Sequence, residues 1–369
     1  MPYSLLRDAI ARNDLTVYHL SHTDLDGYAS QYIAKHAFPS TVFRNANYGE
    51  EVMEAFSELV AAANKKGGEA FFLITDLNLT KEEATEIERH LSEDLEAKHS
   101  GLLLLDHHVS GKEVADKTFW YRLDTTKCAT SLTYETFKYL LPDYCTTELG
   151  RFSDVVESVD LWKTHHPDFS KAGLLSDLVM SVDLIPDNYP DLQREYRFHI
   201  MRMFSGALLK GLTTREIEER VYLFRSSYLD GLIPECLYRD EDATIAQMYF
   251  QYIAQIMQSE RLPEFRIGKL RGRMVFNFPG HVFQHASHIY LKSNPEVDYL
   301  VNIKKNGRMS FRSIGQKDVA SLAHRYFGGG GHRNAAGAAL PVRRLMESRS
   351  EAIRLYHKFA HAGKRIDSR

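Results

Sequence analysis

Four places in the first half of the chain carry acidic and imidazole side chains at spacings suited to metal ions: His22-Thr23-Asp24-Leu25-Asp26-Gly27, Asp76, Asp106-His107-His108 and Asp160. Hard carboxylate oxygens mixed with imidazole nitrogens suit first-row divalent cations of the Mn²⁺ kind. Two such ions about 3.5–4 Å apart can clamp the attacking and leaving oxygens of a phosphate ester, so the chemistry expected is hydrolysis of a P–O bond. His22, Asp24 and Asp26 alternate, and on extended backbone alternation sends side chains the same way, while Gly27 lets the chain turn. The hexapeptide also reads as an Asp-rich turn in which Asp24 and Asp26 cap the following helix. Leu102 to Leu105 must lie in a core, so the ionisable triplet that follows needs a metal, a partner or water. Asp76 by itself reads equally well as a cap at a strand end. Asp160 reads either as a ligand or as a surface acid paired with Lys163 or Lys127, and Asp154 competes for its place.

Positioning these groups requires strands that end where the acids begin. Residues 15–21 (LTVYHLS), the stretch AFFLITD ending at Asp76, and LLLLDHH all read as buried strands, with TVFRNAN as a further short one. Amphipathic helices alternate with them: YASQYIAKHAF stopped by Pro39, then Glu50 to Lys66 ended by Gly67-Gly68, then a helix begun by Thr80 with Glu83 as its capping-box partner. Apolar strands alternating with helices predict an α/β fold with a mostly parallel sheet buried on both faces, and open sheets of that kind bind ligands at the carboxyl ends of their strands. Residues 1–180 form this first domain. Residues 181–262 read as a helical connection with Pro-containing breaks near 186–190 and 234, and 263–369 as a smaller α/β domain with a hairpin turn at Asn306-Gly307.

A chain of 369 residues is long enough for two cores. A formal charge of −3 offers no global attraction for a long polyanion, so long duplex nucleic acid is a poor partner. Cys128, Cys145 and Cys236 are too few and too scattered for a disulfide framework and suggest a reducing compartment. The opening MPYSLLRDAIARND lacks a signal-type apolar run, and no stretch approaches the roughly 18 apolar residues that span a bilayer. The expectation is a soluble, cytoplasmic protein with no membrane partner.

Near the other end, Gly328-Gly329-Gly330-Gly331-His332-Arg333-Asn334-Ala335-Ala336-Gly337 combines small residues with two side chains able to hold phosphate. It reads as an anion cradle leading into a helix start, or else as glycines that merely permit tight packing. His281, His285 and His288 lie close together without an acid among them, which favours helix-surface or substrate contacts over a third metal site.

The Asp106-His107-His108 triplet with the other acidic motifs resembles the DHH phosphoesterase superfamily, and the glycine-rich stretch is similar to the signature of its associated DHHA1 domain. The resemblance spans nearly the whole chain. It implies two divalent cations, most readily Mn²⁺, one held by His22, Asp24 and Asp76, the other by Asp26, Asp76, His107 and Asp160, with Asp76 bridging. It implies His108 beside the scissile phosphate and Asp106 orienting a ligand histidine. Arg312 and Ser313, with Gly330, Gly331, His332 and Arg333, would bind substrate, although Arg312 also reads as a plain surface strand residue. Within the superfamily the chain looks most like the NrnA and NrnB oligoribonucleases. That implies hydrolysis of short RNA or DNA oligonucleotides or dinucleotides to mononucleotides, possible homodimers, and, as alternatives, a cyclic-dinucleotide phosphodiesterase or a phosphatase for 3′-phosphoadenosine 5′-phosphate. A nucleotide-binding sensor with an inactive site is the rival of another class, and a pyrophosphatase is disfavoured by the glycine-rich signature.

Overall fold

The computed structural model describes residues 15–362 apart from 98–99, 145, 183–184, 187–188, 233–243, 261, 343 and 347. The opening segment, the break at Pro234, Cys145, Cys236 and the closing GKRIDSR therefore lie outside the described residues. The chain divides into two compact units, residues 1–182 with 194–219, and residues 183–193 with 220–369.

In the first unit, β1 (Thr16–Ser21) leads to α1 (Leu25–Ala37), β2 (Thr41–Asn45) to α2 (Glu50–Lys66), and β3 (Ala70–Thr75) to α3 (Lys81–Arg89). Then come β4 (Ser100–Asp106), the short α4 (Lys112–Ala115), β5 (Tyr121–Leu123), α5 (Ala129–Leu140), α6 (Thr147–Asp160) and α7 (Phe169–Met180). The sheet order is β2-β1-β3-β4-β5, and every neighbouring pair is parallel. Every residue of β1 and β3 is buried, because helices cover both faces and leave no polar side to the sheet. Helix α2 buries Val52, Ala55, Phe56, Leu59, Val60 and Ala63 at helical spacing and stops at Gly67, whose φ of 69° with ψ 178° is a combination that glycine adopts readily. The Thr80–Glu83 capping box is formed on both sides.

Helices α8 (Pro190–Leu209) and α9 (Thr214–Leu232) contribute residues to both units. The second unit continues with α10 (Ile245–Ser259), β6 (Glu264–Ile267), β7 (Leu270–Phe276), α11 (Gly280–Ser293), β8 (Tyr299–Ile303), β9 (Arg308–Ser313), α12 (Val319–Phe327), β10 (Gly330–His332), β11 (Ala335–Ala339) and α13 (Arg349–Ala362). Its sheet is mixed, in the order β10-β11-β9-β8-β7-β6, with β7 and β8 parallel and the remaining pairs antiparallel. Gly307, at φ 80°, turns β8 into β9 as the Asn306-Gly307 pair predicts.

The glycine-rich stretch differs from expectation. No helix starts directly from it; α12 ends into it, with Gly328 as a left-handed cap at φ 64°, and the chain then forms the β10–β11 hairpin. A Cβ at Gly329 would stand 2.1 Å from the Gly337 carbonyl oxygen, and one at Gly331 would stand 2.6 Å from that of Ala335. Close strand packing therefore explains those two glycines, while Gly330 faces open space. Among the described residues no helix is long and apolar enough to cross a membrane.

Candidate metal centre

Strands β1, β3 and β4 are neighbours, so their carboxyl ends bring His22, Asp76 and the 106–108 triplet to one edge of the sheet. Asp24 is the N-cap of α1. Its Oδ1 accepts from the Gly27 amide at 3.0 Å, and its Oδ2 remains 2.9 Å from His22 Nδ1. The capping and ligand readings of Asp24 are thus compatible, since each uses a different oxygen. Asp26 is no part of an alternating extended segment, because α1 begins at Leu25. Helical turning buries Asp26, and the amides of Ala129 and Thr130 at the start of α5 donate to its two oxygens at 2.7 and 2.8 Å. Gly27 has a steric reason to be glycine: a Cβ there would fall 2.3 Å from the His22 carbonyl oxygen.

Asp76 sits at the centre. It is only 1% exposed and adopts φ 60°, an uncommon region for a residue with a side chain. One oxygen, Oδ1, lies 3.4 Å from His107 Nε2; the other, Oδ2, lies 3.7 Å from His22 Nδ1. His107 Nε2 is also 3.8 Å from Asp26 Oδ2 and 3.6 Å from Asp160 Oδ2. Three overlapping donor sets result: His22 with Asp24 and Asp76, Asp26 with His107 and Asp160, and Asp76 with His107 and His108, the donor atoms of each within 4.8 Å of one another.

These residues fit divalent cations on two grounds. Asp76 Oδ2 is buried without a hydrogen-bond partner, which is costly unless something binds it. Four carboxylates also crowd together: burial, then Asp26 and Asp24, push Asp76 well above the ordinary carboxylate range, and burial followed by the same two acids raises Asp160. Burial would raise Asp24 too, but hydrogen bonding to His22 outweighs it and holds the group at about 2. A cluster so short of positive charge suits hard cations.

The lysines offered as alternative partners of Asp160 are engaged elsewhere, Lys163 with Glu157 at 2.5 Å and Lys127 with Glu135. Asp154 lies away from the donor sets, lining a separate cavity between α5 and α6 with Ser131, Ser153 and Glu157. Asp106 does not orient the ligand candidate His107. Its Oδ1 is 2.7 Å from His108 Nδ1, and its Oδ2 accepts from the Tyr121 hydroxyl. Burial would raise Asp106, yet the bonds to His108 and Tyr121 lower it, and Asp106 in turn raises His108.

Three contributors escaped the sequence reading. Tyr48, in the loop after β2, places its hydroxyl 3.3 Å from His108 Nε2 and its ring 4.9 Å from that of His22. Asn45, at the end of β2, donates to the His22 carbonyl at 2.9 Å. The amides of Ala129 and Thr130 hold Asp26. Only the position of Tyr48 and Asn45 beyond a strand's carboxyl end could have signalled them.

In the second unit, Arg312 is half-buried on β9, opposite Ala335, with its guanidinium 6.0 Å from the Phe283 ring. Burial lowers its pKa. The Ser313 hydroxyl donates to the Lys317 carbonyl at 2.8 Å and receives Asn334 Nδ2 at 2.9 Å, so it ties β9 to the turn after β10. Gly330, Gly331 and His332 are exposed on β10, and Arg333 donates to Gln316 at 2.6 Å. His281, His285 and His288 are exposed on α11, with His285 stacked on Phe250 at 4.6 Å. Cys128 is a buried free thiol at the start of α5.

A parallel sheet that gathers carboxylates and imidazoles at the ends of adjacent strands defines a metal-dependent phosphoesterase. The chain is 31% identical over 332 residues to a 3′,5′-cyclic-nucleotide phosphodiesterase of Helicobacter pylori, covering 88% of this chain and 93% of that protein. It is 24% identical over 346 residues to the oligoribonuclease NrnB of Bacillus subtilis, covering 88% of this chain and 73% of that one. The crystal structure of an uncharacterized protein from Helicobacter pylori G27 superposes with a TM-score of 0.78 at 28% identity, covering 94% of this chain and 99% of that one. No family model matches the chain. The chain belongs to the DHH phosphoesterase family.

Proposed function

We propose that this protein is a divalent-cation-dependent phosphodiesterase that opens 3′,5′-cyclic mononucleotides to nucleoside monophosphates. The observation that carries the reading is the split aim of Asp76, one oxygen toward His22 and the other toward His107, which suits two cations flanking a single phosphate. The similarity to a cyclic-nucleotide phosphodiesterase along most of both chains supports this substrate class. His22, Asp24 and Asp76 would hold one ion, and Asp76, Asp26, His107 and Asp160 the other, with Mn²⁺ best matched to this donor mixture. Bound there, the cations supply positive charge to the phosphoryl oxygens and lower the pKa of water.

The chain's own residues provide the rest. Asp106 keeps a proton on His108 Nδ1, which leaves Nε2 to give its proton to the departing alkoxide. Water adds to phosphorus as one ester P–O bond breaks; the departing oxygen takes the Nε2 proton of the His108 imidazolium, and the proton that the water sheds returns to His108 through solvent. Arg312, Ser313 and the 330–333 segment are proposed as substrate-binding residues of the second unit.

The test is a panel with Mn²⁺ comprising cyclic AMP, cyclic GMP, a linear dinucleotide, a pentanucleotide and 3′-phosphoadenosine 5′-phosphate. The highest kcat/KM is expected for a cyclic mononucleotide. Faster hydrolysis of the dinucleotide or pentamer transfers the protein to the second reading, a short-oligonucleotide hydrolase, which the likeness to NrnB favours. Nucleotide binding without turnover of any substrate would make it a sensor.

A further inference from the structure

Helix α6 ends in a way that its sequence should resist. Trp162 N donates to the Val159 carbonyl at 3.2 Å and Lys163 N to that of Ser158 at 2.7 Å, the two bonds of a Schellman motif. The residue at the turning position must be left-handed, and glycine or asparagine normally takes it. Here it is Trp162, at φ 52°. A bulky residue in that region is a true outlier.

Folding does not account for the choice, because the indole contributes little to a core. Trp162 is 71% exposed, whereas Trp120, the other tryptophan of the sequence, is 3% exposed. The ring is nonetheless held: Phe169 meets it edge-on, centroids 5.4 Å apart at 88°. That contact braces the indole and leaves its surface largely open. The position follows the donor Asp160 by two residues, so its Cα lies within about 7.6 Å of that residue's Cα, two trans peptide steps away. Among the described residues, three that are not glycine have positive φ, and one of the others is Asp76. Backbone strain of this kind collects at functional sites.

We propose that Trp162 is a stacking platform for the nucleobase of the substrate, and so a residue that determines specificity for nucleotides over other phosphodiesters. The inference rests on the phosphodiesterase reading above. An exposed aromatic face accepts any base, because every base has a π-face, so the platform raises affinity for nucleotides without selecting among them.

The experiment compares wild type, Trp162→Gly and Trp162→Phe in the full chain with Mn²⁺, using cyclic AMP and ribose 3′,5′-cyclic phosphate, which lacks the base. Trp162→Gly should lower the ratio of kcat/KM for cyclic AMP to that for the base-free diester about tenfold or more, mainly through KM. Trp162→Phe should restore most of that ratio. The thermal midpoint of Trp162→Gly should equal or exceed that of wild type, since glycine fits the turn. Titration with 5′-AMP should quench the emission of Trp162, while ribose 5-phosphate should not, and Trp162→Phe, which retains Trp120, should show no such quench. An unchanged ratio in Trp162→Gly, or wild-type emission that ignores 5′-AMP, overturns the proposal. If wild type cleaves neither cyclic diester, the phosphodiesterase reading fails instead, and the 5′-AMP titration still decides whether Trp162 meets a base.

Discussion

His108 Nδ1 and Asp106 Oδ1 stand 2.7 Å apart, so the acid that opens the triplet grips the histidine that closes it and leaves His107 between them free to face Asp76 and Asp160. A carboxylate behind an imidazole fixes its tautomer and raises its basicity. The Tyr121 hydroxyl occupies the other Asp106 oxygen, which fixes the acid in turn.

Asp106→Asn should therefore lower kcat by about 10- to 100-fold while Mn²⁺ affinity, measured by calorimetry, stays near that of wild type. Because Asp106 raises the His108 pKa, the limb of the kcat/KM profile that reports loss of the His108 proton should move to lower pH in the variant. A large loss of Mn²⁺ binding would instead make Asp106 a ligand.

Asp76→Asn tests the centre without disturbing the backbone, because asparagine tolerates the positive φ that alanine would not. Turnover should vanish and the Mn²⁺-induced rise in Tm should shrink or disappear. The folded-state pKa of Asp76 is raised, so the folded, metal-free protein binds more protons than the unfolded chain once pH passes the ordinary carboxylate value. Its stability must then fall as pH rises above the ordinary carboxylate range, and Asp160, raised by burial and the same acids to about 8, adds to the fall. Thermal scans in chelator should show that decline, smaller in Asp76→Asn and reversed by Mn²⁺; a flat profile would argue against the crowded carboxylates.

His19 makes the first unit sensitive to acid. Its ring is fully buried with Nε2 2.8 Å from Thr75 Oγ1, and burial, followed by Arg194, pushes its pKa down to about 3. The folded value lies below the unfolded one, near 6.5, so this stability is fully present above about pH 6.5 and is lost as pH falls toward about 3. The whole effect is on the order of 5 kcal/mol at most, at about 1.4 kcal/mol per pH unit. His19→Leu should flatten the acid limb of urea-unfolding free energy across that window.

For Arg312, whose guanidinium is half-buried beside Phe283, Arg312→Ala should raise KM for nucleotides roughly tenfold or more and change kcat by less than about threefold, as expected for a lost substrate-binding contact away from the reacting phosphate. An equal fall in kcat and kcat/KM would place the arginine in the transition state instead.

The parallel sheet and most of the donors were legible because their signals are local: apolar runs of strand length that end in acids, broken by amphipathic helices. The Thr80–Glu83 capping box and the Gly307 turn were legible for the same reason, each resting on a few adjacent residues. The glycine run misled because glycine serves helix caps, tight strand pairing and anion sites alike, and only the partner strand β11 distinguishes them.

The sequence by itself determined which side chains were available as donors and that strands would deliver them to one edge. The tertiary structure decided how they were shared. It turned Asp160 toward His107 by pairing Lys163 with Glu157 and Lys127 with Glu135, and it gave Asp106 to His108. It also brought the α5 amides to Asp26 across more than 100 residues of chain and set Tyr48 against two histidines. Those choices follow from packing between distant segments, and no local periodicity encodes which partner a buried carboxylate will meet.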